Sequence, residues 1–163
     1  MPRERFNDDH AFLPKRAFLS FEEIEKVVRS SMSLGLEKVR ITGGEPLLRK
    51  NLPELIEKLS KLDIDIALTT NASLLKKNAK ALHDAGLNRV TVSLDALDPD
   101  LHKKMSDSNI PVESILEGIN EAVQVGLSPV KINCVVQKGI NEEEVSKLVH
   151  YFRGTGIIVR FIE

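Results

Sequence analysis

A unit of eight residues that occurs three times without gaps constrains the fold of this chain most. It consists of a glycine, an apolar residue and a run in which apolar and polar residues alternate, and its copies are residues 35–42, 86–93 and 126–133. Residues 156–162 are a copy one residue shorter. Each copy follows a segment with apolar residues at helical spacing, so we expect the glycine to end a helix and the run to form a strand.

Strands that alternate with helices through short turns are typical of βα units and a parallel sheet. Residues 64–68 add one more strand to the four runs above. The chain of 163 residues is long enough for one domain with its own core. We therefore predict an α/β fold of five parallel strands, a partial (βα) barrel of the TIM type rather than a closed barrel of eight strands.

One face of the predicted strands is polar, whereas strands covered on both faces read as continuous apolar runs. The polar side chains are Arg40 and Thr42, Thr91 and Ser93, Lys131 and Asn133, and Arg160. The apolar face then packs on the helices and the polar face lines the concave interior. Cations buried there need a counter-charge. Either Arg40, Lys131 and Arg160 contact an anionic ligand, which convergent polar groups favour, or they pair with Asp95, Glu45 and Glu163.

The first predicted strand ends in the loop Gly43-Gly44-Glu45-Pro46. Two glycines expose backbone N–H groups where no Cβ blocks a ligand, and Glu45 adds a carboxylate at the strand edge where α/β folds bind ligands. By itself the loop is equally compatible with an ordinary βα connection. Thr69-Thr70-Asn71 and Ser93-Leu94-Asp95 also end strands, where turn and helix-cap chemistry is a common role for such residues.

Composition argues against several partners. The net charge of −1, the absence of Trp and an aromatic content of 4% argue against nucleic acid. Because no apolar run reaches the length of a membrane span and no signal peptide is visible, we expect no membrane contact and a cytoplasmic location. Cys134, the only cysteine, excludes an internal disulfide and a multi-cysteine zinc or iron–sulfur site built from this chain. We expect it to be a buried structural thiol.

Residues 40–49 resemble the S-adenosylmethionine motif of radical SAM enzymes. Five further motifs narrow the resemblance to the molybdenum cofactor biosynthesis protein A family, the GTP 3′,8-cyclases: Thr69-Thr70-Asn71, Ser93-Leu94-Asp95-Ala96-Leu97, Val130-Lys131-Ile132-Asn133, Lys138-Gly139-Ile140-Asn141 and Arg160-Phe161-Ile162-Glu163. The resemblance extends from Met1 to Glu163. Residues 1–19 show no period and carry two prolines, so we expect a leader loop there. The resemblance implies a radical SAM barrel core at residues 20–163, with about five of the family's six core strands.

The resemblance implies two sets of binding residues. The methionine end of S-adenosylmethionine would contact Gly43, Gly44, Glu45 and Ser93. GTP would contact Arg40, Thr69, Lys131 and Arg160, where cations suit a triphosphate. In this family a reduced [4Fe–4S] cluster cleaves S-adenosylmethionine to a 5′-deoxyadenosyl radical, which abstracts a ribose hydrogen from GTP. The product is (8S)-3′,8-cyclo-7,8-dihydroguanosine 5′-triphosphate, a molybdopterin precursor. The implied enzyme is therefore a lyase of molybdenum cofactor biosynthesis. The resemblance also implies a homodimer.

Three departures from the family pattern change these expectations. The family's three-cysteine motif precedes a Met-Pro pair, which here is Met1-Pro2, and its second cluster is bound after the barrel. We therefore expect a core truncated at both ends, lacking both sets of cluster ligands and inactive alone. One alternative is a non-catalytic remnant that binds GTP or S-adenosylmethionine, and another is half of a split enzyme whose partner chain supplies the cysteines. A third is a (βα) enzyme of another class that acts on a phosphorylated metabolite. The Gly-Gly-Glu-Pro loop argues against this third alternative. The third departure is Ala72, where the family usually has glycine, a change that matters if the position needs a positive φ.

Overall fold

The computed structural model describes residues 18–162, so residues 1–17 of the predicted leader and Glu163 lie outside the described part. Within it, helices and strands alternate as the sequence predicts. They are α1 (Phe21–Met32), β1 (Lys38–Ile41), α2 (Leu52–Ser60), β2 (Asp65–Thr70), α3 (Leu75–Asp84), β3 (Arg89–Ser93), α4 (Pro99–Ser106), α5 (Val112–Gln124), β4 (Lys131–Val135), α6 (Glu142–Phe152) and β5 (Ile158–Ile162). A short 3-10 helix, Pro46–Leu48, follows β1.

Three of the four repeat glycines end helices. Gly35, Gly86 and Gly126 have φ values of +88°, +102° and +95°, a region that a side chain disfavours. The amide that follows Gly86 donates to the Leu82 carbonyl at 3.0 Å, and the amide that follows Gly126 donates to the Ala122 carbonyl at 3.0 Å. This is the Schellman arrangement, which satisfies the last carbonyls of a helix and turns the chain into the next strand.

The fourth glycine does not end a helix, so the sequence interpretation of residues 156–162 is wrong at this point. Helix α6 ends at Phe152, four residues before Gly156. Gly154 and Gly156 both have φ values of +78°, and the amide of Ile157 donates to the Thr155 hydroxyl at 3.3 Å. The chain therefore reaches β5 through a turn with two glycines, and only the strand of the fourth copy matches the other three.

The five strands form one parallel sheet in the order β1-β2-β3-β4-β5. Each consecutive pair of strands is joined by a crossover that contains a helix, as parallel neighbours require. Sequential order is the order of a (βα) barrel, and within residues 18–162 the outer strands β1 and β5 each pair on one side only. The prediction of an α/β fold with five parallel strands is confirmed.

The sheet has an apolar face and a polar face. On the apolar face Leu68, Val92 and Ile132 are fully buried, and they share one hydrophobic core with α2, α3, α5 and α6. The opposite face carries the polar side chains of all five strands and is the more exposed of the two. None of the helices among residues 18–162 combines the length and apolarity needed to cross a membrane.

Candidate functional site

The sheet register brings the polar side chains of neighbouring strands side by side. Thr69 on β2 pairs with Thr91 on β3, which pairs with Lys131 on β4. Nearer the carboxyl ends of the strands, Ser93 pairs with Asn133, which pairs with Arg160 on β5. Because alternate residues of a strand share a face, these two rows lie on the same polar face, and Arg40 of β1 adjoins the first row.

Arg40 is held by two hydroxyl groups. Its Nη1 donates to Thr69 Oγ1 at 3.0 Å and lies 3.3 Å from Thr91 Oγ1. Thr91 is almost fully buried, with 3% of its surface exposed, whereas Arg40 is exposed. The structure thus joins two residues of the predicted GTP set and adds Thr91, which the sequence pattern placed on the polar face without a role.

Arg40, Lys131 and Arg160 form no ion pair within the part of the chain that the structure describes. Asp65, the acidic residue on this face, contacts Lys38 and Arg89 instead. Burial and then the nearby charges, Arg160 first among them, lower the pKa of Lys131. This face therefore has an excess of positive charge, although its cations are exposed or half-buried rather than buried as expected.

Two of the three counter-charges considered from the sequence are engaged elsewhere. Asp95 accepts a hydrogen bond from the amide of Val135 at 2.8 Å, which ties the end of β3 to the end of β4. Burial raises the pKa of Asp95, against the opposing effects of that amide and of His102. Glu45 accepts hydrogen bonds from its own loop and from the end of β2, as described next, and Glu163 lies outside the described residues.

The carboxylate of Glu45 joins the loop after β1 to the end of β2. Its Oε1 accepts from the Leu47 amide at 3.0 Å and from the Thr70 hydroxyl at 2.7 Å. Its Oε2 accepts from the Asn71 amide at 2.7 Å. A carboxylate has about four lone-pair positions, so one acceptor position on Oε2 is left for a ligand. Gly43 and Gly44 are exposed, and a Cβ placed on either would meet nothing within 4 Å.

A buried polar cluster that the sequence analysis missed lies where the segment after β3 meets the start of α6. Asn141 and Glu144 are each 1% exposed and His102 is 4% exposed. Neither ring nitrogen of His102 has a hydrogen-bond partner among the described residues. Burial lowers the pKa of His102, with the charge of Asp95 opposing the shift.

Helical spacing could have revealed Glu144. It lies four residues before Leu148 and eight before Phe152, both of which are buried, so the three residues share the face of α6 that packs on the protein. From the sequence, Glu142, Glu143 and Glu144 are interpreted together as acids that suit the positive end of the helix. The position of Glu144 on the apolar stripe distinguishes it from Glu142 and Glu143, which are exposed.

The described residues contain no group of three or more His, Cys, Asp or Glu side chains that could hold a metal ion. Cys134 is fully buried, as expected from its apolar run. Burial first, and then the charges of Asp95 and Glu144, raise the pKa of its thiol to about 11. A thiol with so high a pKa is a poor metal ligand, since metals bind the thiolate.

The family model described as the radical SAM superfamily matches residues 6–152. The chain is 50% identical over 165 aligned residues to the GTP 3′,8-cyclase of Xanthomonas axonopodis pv. citri (strain 306), an alignment that covers 100% of this chain and 49% of that protein. It is 50% identical to the GTP 3′,8-cyclase of Staphylococcus carnosus (strain TM300), with 100% and 48% covered. The chain therefore spans about half the length of the curated relatives it matches.

Solved structures show a similar fold. Streptococcus suis SuiB bound to S-adenosylmethionine superposes with a TM-score of 0.75 at 26% identity, covering 93% of this chain and 34% of that one. A radical SAM methyltransferase from Sphaerobacter thermophilus gives a TM-score of 0.67 at 17% identity, covering 86% of this chain and 45% of that one. These similarities agree with the partial barrel described above.

Proposed function

The chain belongs to the radical SAM superfamily, and from this premise we propose that it is the part of a GTP 3′,8-cyclase that binds S-adenosylmethionine and GTP. The observation that carries the proposal is the group of three cations on the polar face of the sheet, Arg40, Lys131 and Arg160, which have no carboxylate partner within residues 18–162. The similarity of the whole chain to GTP 3′,8-cyclases supports it.

GTP is proposed to bind on the cationic face. Arg40, already oriented by the hydroxyls of Thr69 and Thr91, keeps donors for a phosphate, and its planar guanidinium suits two phosphate oxygens at once. A triphosphate beside Lys131 would favour the charged ammonium and reverse the lowering of its pKa. Thr69 is proposed to contact the nucleotide through its hydroxyl, which can donate while accepting from Arg40.

The residues at the carboxyl ends of β1 and β3 are proposed to contact the methionine end of S-adenosylmethionine. The open space around Gly43 and Gly44 allows close approach of a ligand, and the remaining acceptor position of Glu45 suits an α-ammonium group. The hydroxyl of Ser93 is exposed and makes no hydrogen bond within the described residues. The chemistry that S-adenosylmethionine supplies in this superfamily, together with a reduced [4Fe–4S] cluster, is radical abstraction of a substrate hydrogen.

The cluster itself does not fit the residues of this sequence. Cys134 is the only cysteine, and its buried thiol, with a pKa of about 11, cannot serve. We propose that the cluster cysteines lie outside these 163 residues, in the same polypeptide or in a partner subunit, and that these residues alone bind without turnover. The proposal includes a cytoplasmic location, where GTP and S-adenosylmethionine are made.

Calorimetry with GTP and with S-adenosylmethionine tests the binding proposal directly. We expect saturable heat with each ligand. Arg40→Ala should weaken GTP binding at least tenfold and leave S-adenosylmethionine binding within twofold, because Arg40 belongs to one set only. Arg153→Ala, which removes an exposed arginine after α6, is the matched control and should change neither. Absence of heat with both ligands would refute the proposal.

An assay for 5′-deoxyadenosine tests the absence of turnover. The 163-residue protein is incubated anaerobically with iron, sulfide, a low-potential reductant, S-adenosylmethionine and GTP. We expect no 5′-deoxyadenosine above a protein-free blank. Formation of this product by the chain alone would show that these 163 residues do not need further cysteines for turnover.

A further inference from the structure

Residues 93–98 begin with Ser93, the last residue of β3, and are held by two other parts of the chain. At one side the amide of Leu94 donates to the Asn133 carbonyl at 3.0 Å, and Asp95 accepts from the Val135 amide at 2.8 Å, which anchors the segment on β4. Leu94 and Ala96 are fully buried. The Asp95 carbonyl and the amides of Leu97 and Asp98 meet Asn141 and Glu144 at the start of α6.

Asn141, immediately before α6, satisfies the backbone of both strand ends at once. Its Nδ2 donates to the Asp95 carbonyl and to the Val135 carbonyl, each at 2.9 Å. Its Oδ1 accepts from the Gln137 amide at 2.8 Å. An amide buried with three such bonds is a rigid connector, because any rearrangement would leave a buried polar group unpaired.

Glu144 holds the far end of the same segment. Its Oε2 accepts from the Leu97 amide at 2.6 Å and lies 3.3 Å from the Asp98 amide, while its Oε1 accepts from Lys147 at 2.6 Å. Burial alone would raise the pKa of Glu144, but the hydrogen bonds from Lys147 and from these two amides hold it below its ordinary value. Glu144 is therefore a carboxylate whose charge is used to order the backbone of residues 97 and 98.

These contacts leave one exposed polar side chain at the start of the segment, the hydroxyl of Ser93. Its backbone is fixed by β3 before it and by the Asn133, Asn141 and Glu144 bonds after it. Where a binding group must be aligned, a displacement on the order of 1 Å is enough to lower its contribution severely. The position of the Ser93 hydroxyl thus depends on Asn141 and Glu144, at the start of α6.

We propose that Asn141 and Glu144 are positioning residues that hold residues 93–98 in place for S-adenosylmethionine. The inference rests on the proposed function, in which Ser93 contacts that cofactor. They act through the backbone and, among residues 18–162, form no hydrogen bond with Arg40, Lys131 or Arg160, where GTP is proposed to bind. Replacing either residue should therefore weaken the binding of S-adenosylmethionine and leave the binding of GTP unchanged. A general loss of folding would weaken both.

The test compares the affinities of the two ligands by calorimetry, with thermal unfolding as the check on folding. Glu144→Ala and Asn141→Ala should each raise the dissociation constant of S-adenosylmethionine about tenfold and leave that of GTP within twofold. Glu144→Gln keeps an oxygen for the Leu97 and Asp98 amides and should restore most of the loss. Glu143→Ala removes an exposed glutamate from the same helical turn and should change neither affinity.

Amide hydrogen exchange supplies a second readout that does not depend on ligands. Exchange at Leu97 should be faster in Glu144→Ala and close to wild type in Glu144→Gln. If Glu144→Ala does not fold, Lys147→Ala takes its place, since Lys147 is a half-exposed partner of Glu144; it should weaken S-adenosylmethionine binding about threefold and spare GTP.

Three outcomes would overturn the inference, and each is distinct from failure of the proposed function. In the first, exchange at Leu97 is faster while the S-adenosylmethionine affinity stays at the wild-type value. In the second, both affinities fall equally, as a general structural role predicts. In the third, Glu144→Gln is no better than Glu144→Ala. If the wild-type chain itself binds no S-adenosylmethionine, the proposed function fails and this inference fails with it.

Discussion

Arg160 donates two hydrogen bonds to a single oxygen of Asn133, from Nε at 3.0 Å and from Nη2 at 2.6 Å. The two residues are paired in the register of β4 and β5, so the contact follows from the parallel pairing of these strands. One edge of the guanidinium is thereby fixed, and its Nη1 makes no hydrogen bond within residues 18–162. Asn133 also accepts, through its carbonyl, the amide of Leu94.

Asn133→Ala should weaken GTP binding about fivefold, because Arg160 loses its fixed orientation but keeps its charge. Arg160→Ala should weaken it further. The double variant should bind no more weakly than Arg160→Ala, since Asn133 is expected to act through Arg160. Calorimetry gives the GTP dissociation constants of the wild type, the two single variants and the double variant. Additive effects of the two substitutions would show that Asn133 contributes to GTP binding independently of Arg160.

Lys131→Met should weaken GTP binding about tenfold without lowering the midpoint of thermal unfolding. Burial and neighbouring cations lower the pKa of Lys131, so its charged form is disfavoured in the ligand-free protein. Removing that charge should leave the midpoint unchanged or raise it. A lower midpoint would mean that the lysine stabilises the fold, and unchanged GTP affinity would place the phosphates elsewhere.

His102→Leu should stabilise the protein, and more so at low pH. Its ring nitrogens have no hydrogen-bond partner among the described residues, and leaving a buried polar group unpaired costs about 1 kcal/mol or more. Burial lowers the pKa of His102 from 6.5, although Asp95 opposes the shift. As the pH falls from 6.5 through that lowered value, the unfolded state binds a proton that the folded state does not, and the wild type loses stability.

Urea unfolding at pH 8 and pH 5 measures the effect of His102→Leu. The gain should be about 1 kcal/mol at pH 8 and larger at pH 5. His83→Leu, which replaces an exposed histidine, is the control and should show no such increase. A gain for His102→Leu that is the same at both pH values would mean that His102 titrates normally in the folded state.

The strands were predictable from sequence because glycine marks their entry and polar residues mark one face. Gly35, Gly86 and Gly126 adopt the positive φ that only glycine takes readily. The turn before β2 carries no such mark: Asp63 adopts a φ of +52° there. An aspartate is tolerated in this conformation but is common in many others, so the repeat is hidden at this strand.

The buried connections of the candidate site were less predictable, because they join residues far apart in the sequence. The bond between Glu45 and Thr70 and the bond between Asn141 and Asp95 depend on which strand ends become neighbours. The residue type alone does not distinguish a carboxylate that accepts backbone hydrogen bonds from one that is exposed to water. For Glu45 the role becomes visible only once the strands are paired, whereas helical spacing alone distinguishes Glu144.

Ala72→Gly should stabilise the protein slightly, by up to about 1 kcal/mol. Ala72 adopts a φ of +62°, so the position does need the left-handed region in which glycine is favoured. Two hydrogen bonds hold the turn at Ala72 in this conformation. The Ala72 amide donates to the Thr70 hydroxyl at 3.0 Å, and the Ala72 carbonyl accepts from the Leu75 amide at 3.0 Å. A residue with a Cβ in this region is strained by roughly 1–2 kcal/mol, and the strain exceeds the roughly 0.8 kcal/mol gained by burying one methyl group.

The matched substitution at this position is Ala72→Val, because the site is only 1% exposed and a β-branched residue is least compatible with a positive φ. Urea unfolding should place Ala72→Val at least about 2 kcal/mol below the wild type, while Ala72→Gly lies at or above it. If Ala72→Gly is instead destabilised by more than about 1 kcal/mol, the packing of the methyl group outweighs the backbone strain. Because Thr70 contacts both Ala72 and Glu45, S-adenosylmethionine affinity should fall in Ala72→Val and not in Ala72→Gly.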